Sequence, residues 1–236
     1  YPAGTDIILL AQPYRAYVKT LLEPQKYPAR RLVPGGPPER PYDAAGWTLP
    51  YQMGVAVRTI ERTFQPPATS RVMAAAIAPG RLWGEPKPGY YIIEGRGNAG
   101  AIAVNRLTAA GSPVSWITSG VEAGGFRYDA GSLVVPSSKA SEAAVTGIVR
   151  DLGLRADGVK GKVPAGAKPI GRARVALYRP WTENIDEGWT RWVLEQYGFK
   201  FLTITDADVR AGNLRAEFDA VVLPSAPVDQ LVGGNP

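Results

Sequence analysis

Tyr90-Tyr91-Ile92-Ile93-Glu94, followed at once by Gly95-Arg96-Gly97-Asn98-Ala99-Gly100, is the stretch whose reading decides the fold. The first five residues are β-branched or aromatic up to the closing glutamate, which predicts a short strand. Residues 98–110 then predict a helix ended by Gly111, and residues 114–118 a second strand, so the whole segment reads as a βαβ unit. A third strand is expected over 132–135, before a helix over 139–152. Val145, Ile148, Val149 and Leu152 fall on one face of that helix, and Gly153 stands at its C-terminal stop.

Working outward toward the N-terminus, residues 5–10 predict a strand and residues 12–23 a helix. Pro13 suits its first turn, Tyr14, Val18, Leu21 and Leu22 recur at helical spacing, and Pro24 stops it. Residues 24–50 are rich in proline, with Gly35-Gly36-Pro37-Pro38 at their centre. They read as an extended surface crossing whose far end is anchored by Trp47, Leu49 and Met53. Tyr1-Pro2-Ala3-Gly4-Thr5 echoes Tyr128-Asp129-Ala130-Gly131-Ser132, as a glycine turn launching a strand used twice. On that reading the chain begins in the middle of a structural unit.

Toward the C-terminus, residues 155–171 are dense in Gly, Ala, Lys and Pro and read as a linker, with a boundary near Gly171. Beyond it the pattern is strand 174–178, helix 185–197 closed by Gly198, strand 200–204, short helix 207–211 and strand 220–223. That is βαβαβ, the start of a parallel sheet that ends early. The expected class is therefore α/β, built of parallel-sheet βαβ units in three layers, Rossmann- or flavodoxin-like. Two domains are expected, 1–171 carrying the Pro-rich crossing and 172–236 a truncated βαβαβ unit.

Composition narrows the chemistry. With no histidine and no cysteine, the chain has no thiol nucleophile, no imidazole base and no thiolate or imidazole metal ligand. Ser119, Ser137, Ser138 and Ser225 consequently have no histidine to activate them. Its 27 basic and 21 acidic residues leave a net charge of +6. The densest basic cluster, Lys160, Lys162, Lys168, Arg172 and Arg174, has no interleaved aromatics for base stacking, so no nucleic-acid partner is expected. No apolar run approaches the roughly 18 to 20 residues of a membrane span.

Two motifs invite ligands. Gly95, Gly97 and Gly100 spell G-x-G-x-x-G between a predicted strand and helix, the arrangement of a dinucleotide-binding turn. The following strand, however, ends without the acidic residue that holds an adenosine ribose, which favours a close strand-to-helix turn. The second is the loop 179–184, where Arg179 and Trp181 offer charge and stacking and Asn184 with Glu187 forms a predicted capping box. Against it stands the reading that Trp181, Trp189 and Trp192 pack the interface with the upstream units. The pairs Asp186 and Glu187, and Asp206 and Asp208, sit where helix starts favour negative charge and are not expected to hold a metal ion.

Tyr178-Arg179-Pro180-Trp181, Asp186-Glu187-Gly188-Trp189-Thr190-Arg191-Trp192, Leu194-Glu195-Gln196-Tyr197-Gly198 and the run from Thr205 to Leu214 together resemble the C-terminal region of large bacterial zinc carboxypeptidases of the carboxypeptidase A-like family. Ala11-Gln12-Pro13-Tyr14, Gly35-Gly36-Pro37-Pro38, Tyr42-Asp43, Trp47-Thr48-Leu49-Pro50 and Gln52-Met53-Gly54-Val55 are similar to the same proteins, so the likeness covers most of the chain. In that family this region follows the peptidase domain, and its last part is similar to the class I glutamine amidotransferase fold. The resemblance implies a secreted or periplasmic parent whose zinc, held by two histidines and a glutamate, belongs to an upstream peptidase domain. No catalytic residue carries over, since no position here supplies a histidine or the cysteine of an amidotransferase. What is expected is a non-catalytic accessory region without cofactor of its own; the alternative is a module that binds a small molecule or nucleotide.

Overall fold

The computed structural model describes residues 4–24, 26, 28–40, 48–66, 68–74, 79–95 and 97–234. The chain divides into two units, Tyr1–Val72 and Met73–Pro236.

In the first unit the residues predicted as a strand after Gly4 form none, and positions 1–3 of the sequence echo lie outside the described residues. Ile7, Ile8 and Leu9 are exposed, and among the described residues no strand pairs with this apolar run, so no ladder forms there. Helix α1 (Arg15–Leu22) follows, with Lys19 and Glu23 paired one turn apart at 3.5 Å. The Pro-rich stretch is not simply extended: Arg31 and Pro38 form an antiparallel bridge, and the Glu39 N–H donates to the Arg30 carbonyl at 2.8 Å. Residues 30–39 thus close a loop around Gly35-Gly36. Helix α2 (Leu49–Met53) carries two of the expected anchors, both outside the buried set, while Trp47 lies outside the described residues.

The second unit is built on a six-stranded sheet. Its elements run β1 (Arg81–Gly84), β2 (Tyr90–Ile93), α3 (Asn98–Ala109), β3 (Val114–Trp116), β4 (Val121–Ala123), β5 (Phe126–Tyr128), β6 (Leu133–Pro136), α4 (Lys139–Leu152), β7 (Arg155–Val159) and β8 (Lys168–Ile170). The strand order is β1-β7-β2-β6-β3-β8, and only β1 with β7 is parallel. This overturns the expected parallel, three-layer Rossmann-like class. Strands β2 and β3 are not neighbours, because β6 lies antiparallel between them, and β2 in turn separates β6 from β7. The central β2-α3-β3-β6-α4-β7 succession is two interleaved split βαβ units, the ferredoxin-like connectivity. The linker expected over 155–171 is corrected as well, since β7 sits inside the sheet and β8 forms its edge.

The parallel expectation fails because β2 is buried on both faces. An unbroken apolar strand such as β2 reads as part of a parallel sheet covered by helices. Here α3 and α4 cover one face, packing Ala103, Leu107, Val145, Ile148 and Val149 on Tyr91, Ile93, Leu133 and Val135. The other face, with Tyr90, Ile92 and Val134, is closed by the β4-β5 hairpin through Ala123 and Tyr128. Gly124 and Gly125 supply its two-residue turn, both at positive φ (56° and 70°), as the twist of a tight hairpin requires. Helix α4 begins at Lys139, the predicted position, and its start carries a capping box that the sequence reading did not include: the Ser138 hydroxyl accepts from the Ser141 N–H, and the Ser141 hydroxyl accepts from the Ser138 N–H.

A second, three-stranded sheet follows: β9 (Val175–Tyr178), α5 (Ile185–Gln196), β10 (Phe201–Ile204), α6 (Asp206–Ala211), α7 (Leu214–Glu217), β11 (Ala220–Val222) and α8 (Val228–Gly233). Its order is β10-β9-β11, with both pairs parallel. Ala176, Tyr178, Ile204 and Phe218 form its small core with Leu214 and Leu231. The Asn105 amide of α3 donates to the Tyr197 carbonyl at 2.9 Å, tying the two sheets together.

Candidate functional site

At the carboxyl ends of parallel strands the chain must turn outward into the next helix, which leaves a crevice where ligands gather in open sheets. Here Tyr178 ends β9 and Ile204 ends β10, and the Arg179 N–H extends the ladder by donating to the Ile204 carbonyl at 2.8 Å. Beyond them lies a cavity of about 330 Å³, lined by Arg179, Trp181, Thr205, Asp206 and Arg210. Trp181 is 80% exposed on its rim. No described residue pairs with the Arg179 guanidinium. Beneath the cavity the Tyr178 hydroxyl donates to Asp206, and that bond, with burial, pushes the Tyr178 phenol up to about 12. Asp206 is thereby fixed as an acceptor, and Asp208 is turned away, taking the Thr205 N–H at 2.7 Å and the Thr205 hydroxyl at 2.8 Å.

Two of the four residues predicted in this loop reach the cavity and two do not. Asn184 caps α5, accepting from the Glu187 N–H at 2.9 Å, while its amide donates to the Ser225 carbonyl at 3.0 Å. The cap is one-sided: the Glu187 carboxylate does not return to Asn184 but accepts from Arg191 on the next turn, and Glu187 is buried. Arg191 also stacks over the Phe201 ring at 5.3 Å. Both residues therefore hold α5 on its sheet.

The glycine motif has a structural account. Gly97, with φ 70°, caps α3, and a side chain at Gly95 would collide with the Gly131 carbonyl, one at Gly100 with the Gly95 carbonyl. These glycines permit close backbone approach between strand, helix and the 129–132 turn. The strands on either side of β2 run antiparallel to it, so the turn lacks the parallel crevice in which a dinucleotide motif functions.

Two features escaped the sequence reading. The first is a buried polar cluster: Asp157, fully enclosed in β7, accepts from the Tyr128 hydroxyl at 2.5 Å and from Arg155 Nε at 3.1 Å. Burial and then the bond to Asp157 push the Tyr128 phenol well above its ordinary value. Arg155 lies 4.6 Å over the Phe126 ring and donates to the Gly124 carbonyl, so the cluster pins the hairpin to the sheet. The only advance signal is the spacing Arg155-Ala156-Asp157, which puts both charges on one side of a strand. The second is the outward face of α5, where Ile185, Trp189, Trp192 and Val193 are all exposed and the two indoles meet edge to face at 6.0 Å. Trp189 and Trp192 were expected to pack on the upstream units; they are 61% and 52% exposed.

Among the described residues no helix is long and apolar enough to cross a membrane. No family model matches this chain, and neither a curated protein nor a solved structure matches it.

Proposed function

We propose that this chain is a non-catalytic accessory region of a secreted or periplasmic bacterial zinc carboxypeptidase-like protein, acting by docking on the peptidase domain. The observation that carries the reading is the inverted amphipathicity of α5. Its inner side holds the Glu187–Arg191 pair, while its apolar residues at 185, 189, 192 and 193 face outward at helical spacing. Contiguous exposed apolar surface rich in tryptophan is the composition of the centre of a protein interface. The zinc and the hydrolytic chemistry belong, on this reading, to the partner domain, and this chain supplies surface and stability.

The test begins with the coding sequence upstream of Tyr1, where the reading expects a peptidase domain carrying His-x-x-Glu. That domain, expressed separately, should bind this chain and gain thermal stability from it, and Trp189→Asp with Trp192→Asp should weaken the complex at least about ten-fold. An upstream sequence without a peptidase domain, or binding indifferent to the double substitution, refutes it.

A further inference from the structure

The cavity at the ends of β9 and β10 is left unused by docking through α5, and its chemistry selects a ligand. We infer that it binds a small aromatic monocarboxylate, with Arg179 pairing the carboxylate and Trp181 stacking on the ring. A volume of about 330 Å³ matches the lower end of small-molecule sites, roughly 300 to 1,000 Å³. The Arg179 guanidinium brings to it a positive charge that no described residue neutralises, which suits a monoanion better than a phosphate dianion. The planar fork of Arg179 has no partner among the described residues, and such a fork matches a carboxylate in two parallel hydrogen bonds. Trp181 is held next to it because Pro180 is buried and fixes the chain between the two. An indole exposed to 80% beside a cation binds a flat unsaturated body better than an aliphatic one. Asp206 is occupied by the Tyr178 hydroxyl, so it shapes the far wall and disfavours a second negative charge on the ligand.

The experiment uses the intact chain with benzoate, its uncharged counterpart benzamide, and phenyl phosphate as the dianion, followed by calorimetry and ligand-observed NMR. Benzoate is expected to bind with a dissociation constant on the order of 1 mM, benzamide and phenyl phosphate about ten-fold more weakly. Arg179→Ala should cost benzoate about ten-fold and Trp181→Ala about five-fold, with Trp181→Phe restoring most of the loss. Because both side chains are exposed, the variants should melt at the temperature of the unaltered chain, which separates lost contacts from lost structure. Equal binding of benzoate and benzamide, tighter binding of phenyl phosphate, benzoate affinity unchanged in Arg179→Ala, or no binding at about 50-fold the expected constant each overturns the assignment. All of these readouts are independent of α5, so their failure leaves the docking proposal standing.

Discussion

The two sheets of the second unit are made from the same local vocabulary of short apolar strands and amphipathic helices, yet they finish in opposite states. In the six-stranded sheet, helices close one face and a hairpin the other, so Ile92, Val134 and Val135 are fully enclosed. In the three-stranded sheet only the central strand β9 is buried along its length, and its neighbours leave Leu202 64% and Val221 40% exposed. The difference is one of element number. A strand is buried on both faces only when other elements cover both, and among the described residues the smaller sheet achieves that for β9 alone. Its remaining apolar surface is the raw material of an interface.

The largest effect expected from breaking this contrast is at Asp157, where the larger sheet depends on a polar group. Asp157→Ala leaves the Arg155 guanidinium and the Tyr128 hydroxyl without their acceptor and should lower unfolding free energy by about 3 to 5 kcal/mol in urea titration. Tyr128→Phe removes only one donor and should cost about 1 to 2 kcal/mol. Next come matched truncations. Ile92→Ala and Leu177→Ala each empty a fully buried site, and the general range is about 2 to 5 kcal/mol. The loss at Ile92 should exceed that at Leu177 by about 1 kcal/mol, because the open sheet can collapse around its cavity. Equal losses would mean that the small sheet is as tightly constrained as the large one.

How much of this was legible beforehand follows the range of the forces involved. Helices α3, α4 and α5 lie within a residue or two of their predicted bounds, because Gly111, Gly153 and Asn184 are local signals for stops and caps. Strands β2, β6, β9 and β10 were found for the same reason. Their pairing was not, since Tyr90–Ile93 carries no mark of whether its neighbour runs parallel, and burial on both faces looks alike whether a helix or a hairpin supplies the cover. The strand expected over 5–10 failed for the converse reason: local β-propensity is worth little without a partner ladder. Within the candidate site, Arg179 and Trp181 were legible from their place after a strand. Asn184 is legible as a cap, and its capping removes it from the cavity; Glu187 reads as the other half of a capping box, but its carboxylate pairs with Arg191 instead. Asp157 is not legible in the sequence, because a charged residue among Gly, Ala and Lys resembles a linker until its partner on β5, 29 residues away, is known.

A smaller effect tests how the open sheet is edged. Asp219, just before β11, accepts from Arg174 Nη2 at 2.7 Å, from Arg174 Nε at 3.2 Å and from the Arg174 N–H at 2.8 Å. These bonds, the side-chain pair first, hold the Asp219 carboxyl down to about 2. A carboxyl whose folded value is depressed stabilises the fold above its ordinary value near 3.8, and that contribution disappears as pH falls toward about 2. The melting-temperature gap between the unaltered chain and Asp219→Asn should therefore be widest above about pH 4 and close between about pH 4 and about pH 2. Since both side chains are exposed, the gap is expected to be modest and to shrink in added salt. A gap that persists at about pH 2 would assign the role of Asp219 to shape instead of charge.

The smallest stability effect is expected where the functional effect is largest, on the outer face of α5. Trp189 and Trp192 touch each other but are exposed by more than half, so replacing both with aspartate removes little buried area from the folded chain. Helix propensity falls slightly, and the carboxylate introduced at position 189 would stand beside Asp186, a like charge one turn away; together these should hold the loss to within about 1 kcal/mol. If the double substitution instead unfolds the small sheet, the indoles are structural and the stripe is a core surface awaiting cover from this same chain. If stability holds while solubility rises and partner binding falls, the open sheet is an interface. That outcome is the one the inverted amphipathicity of α5 predicts, since a helix that turns its ion pair inward and its tryptophans outward is already stable without the surface it presents.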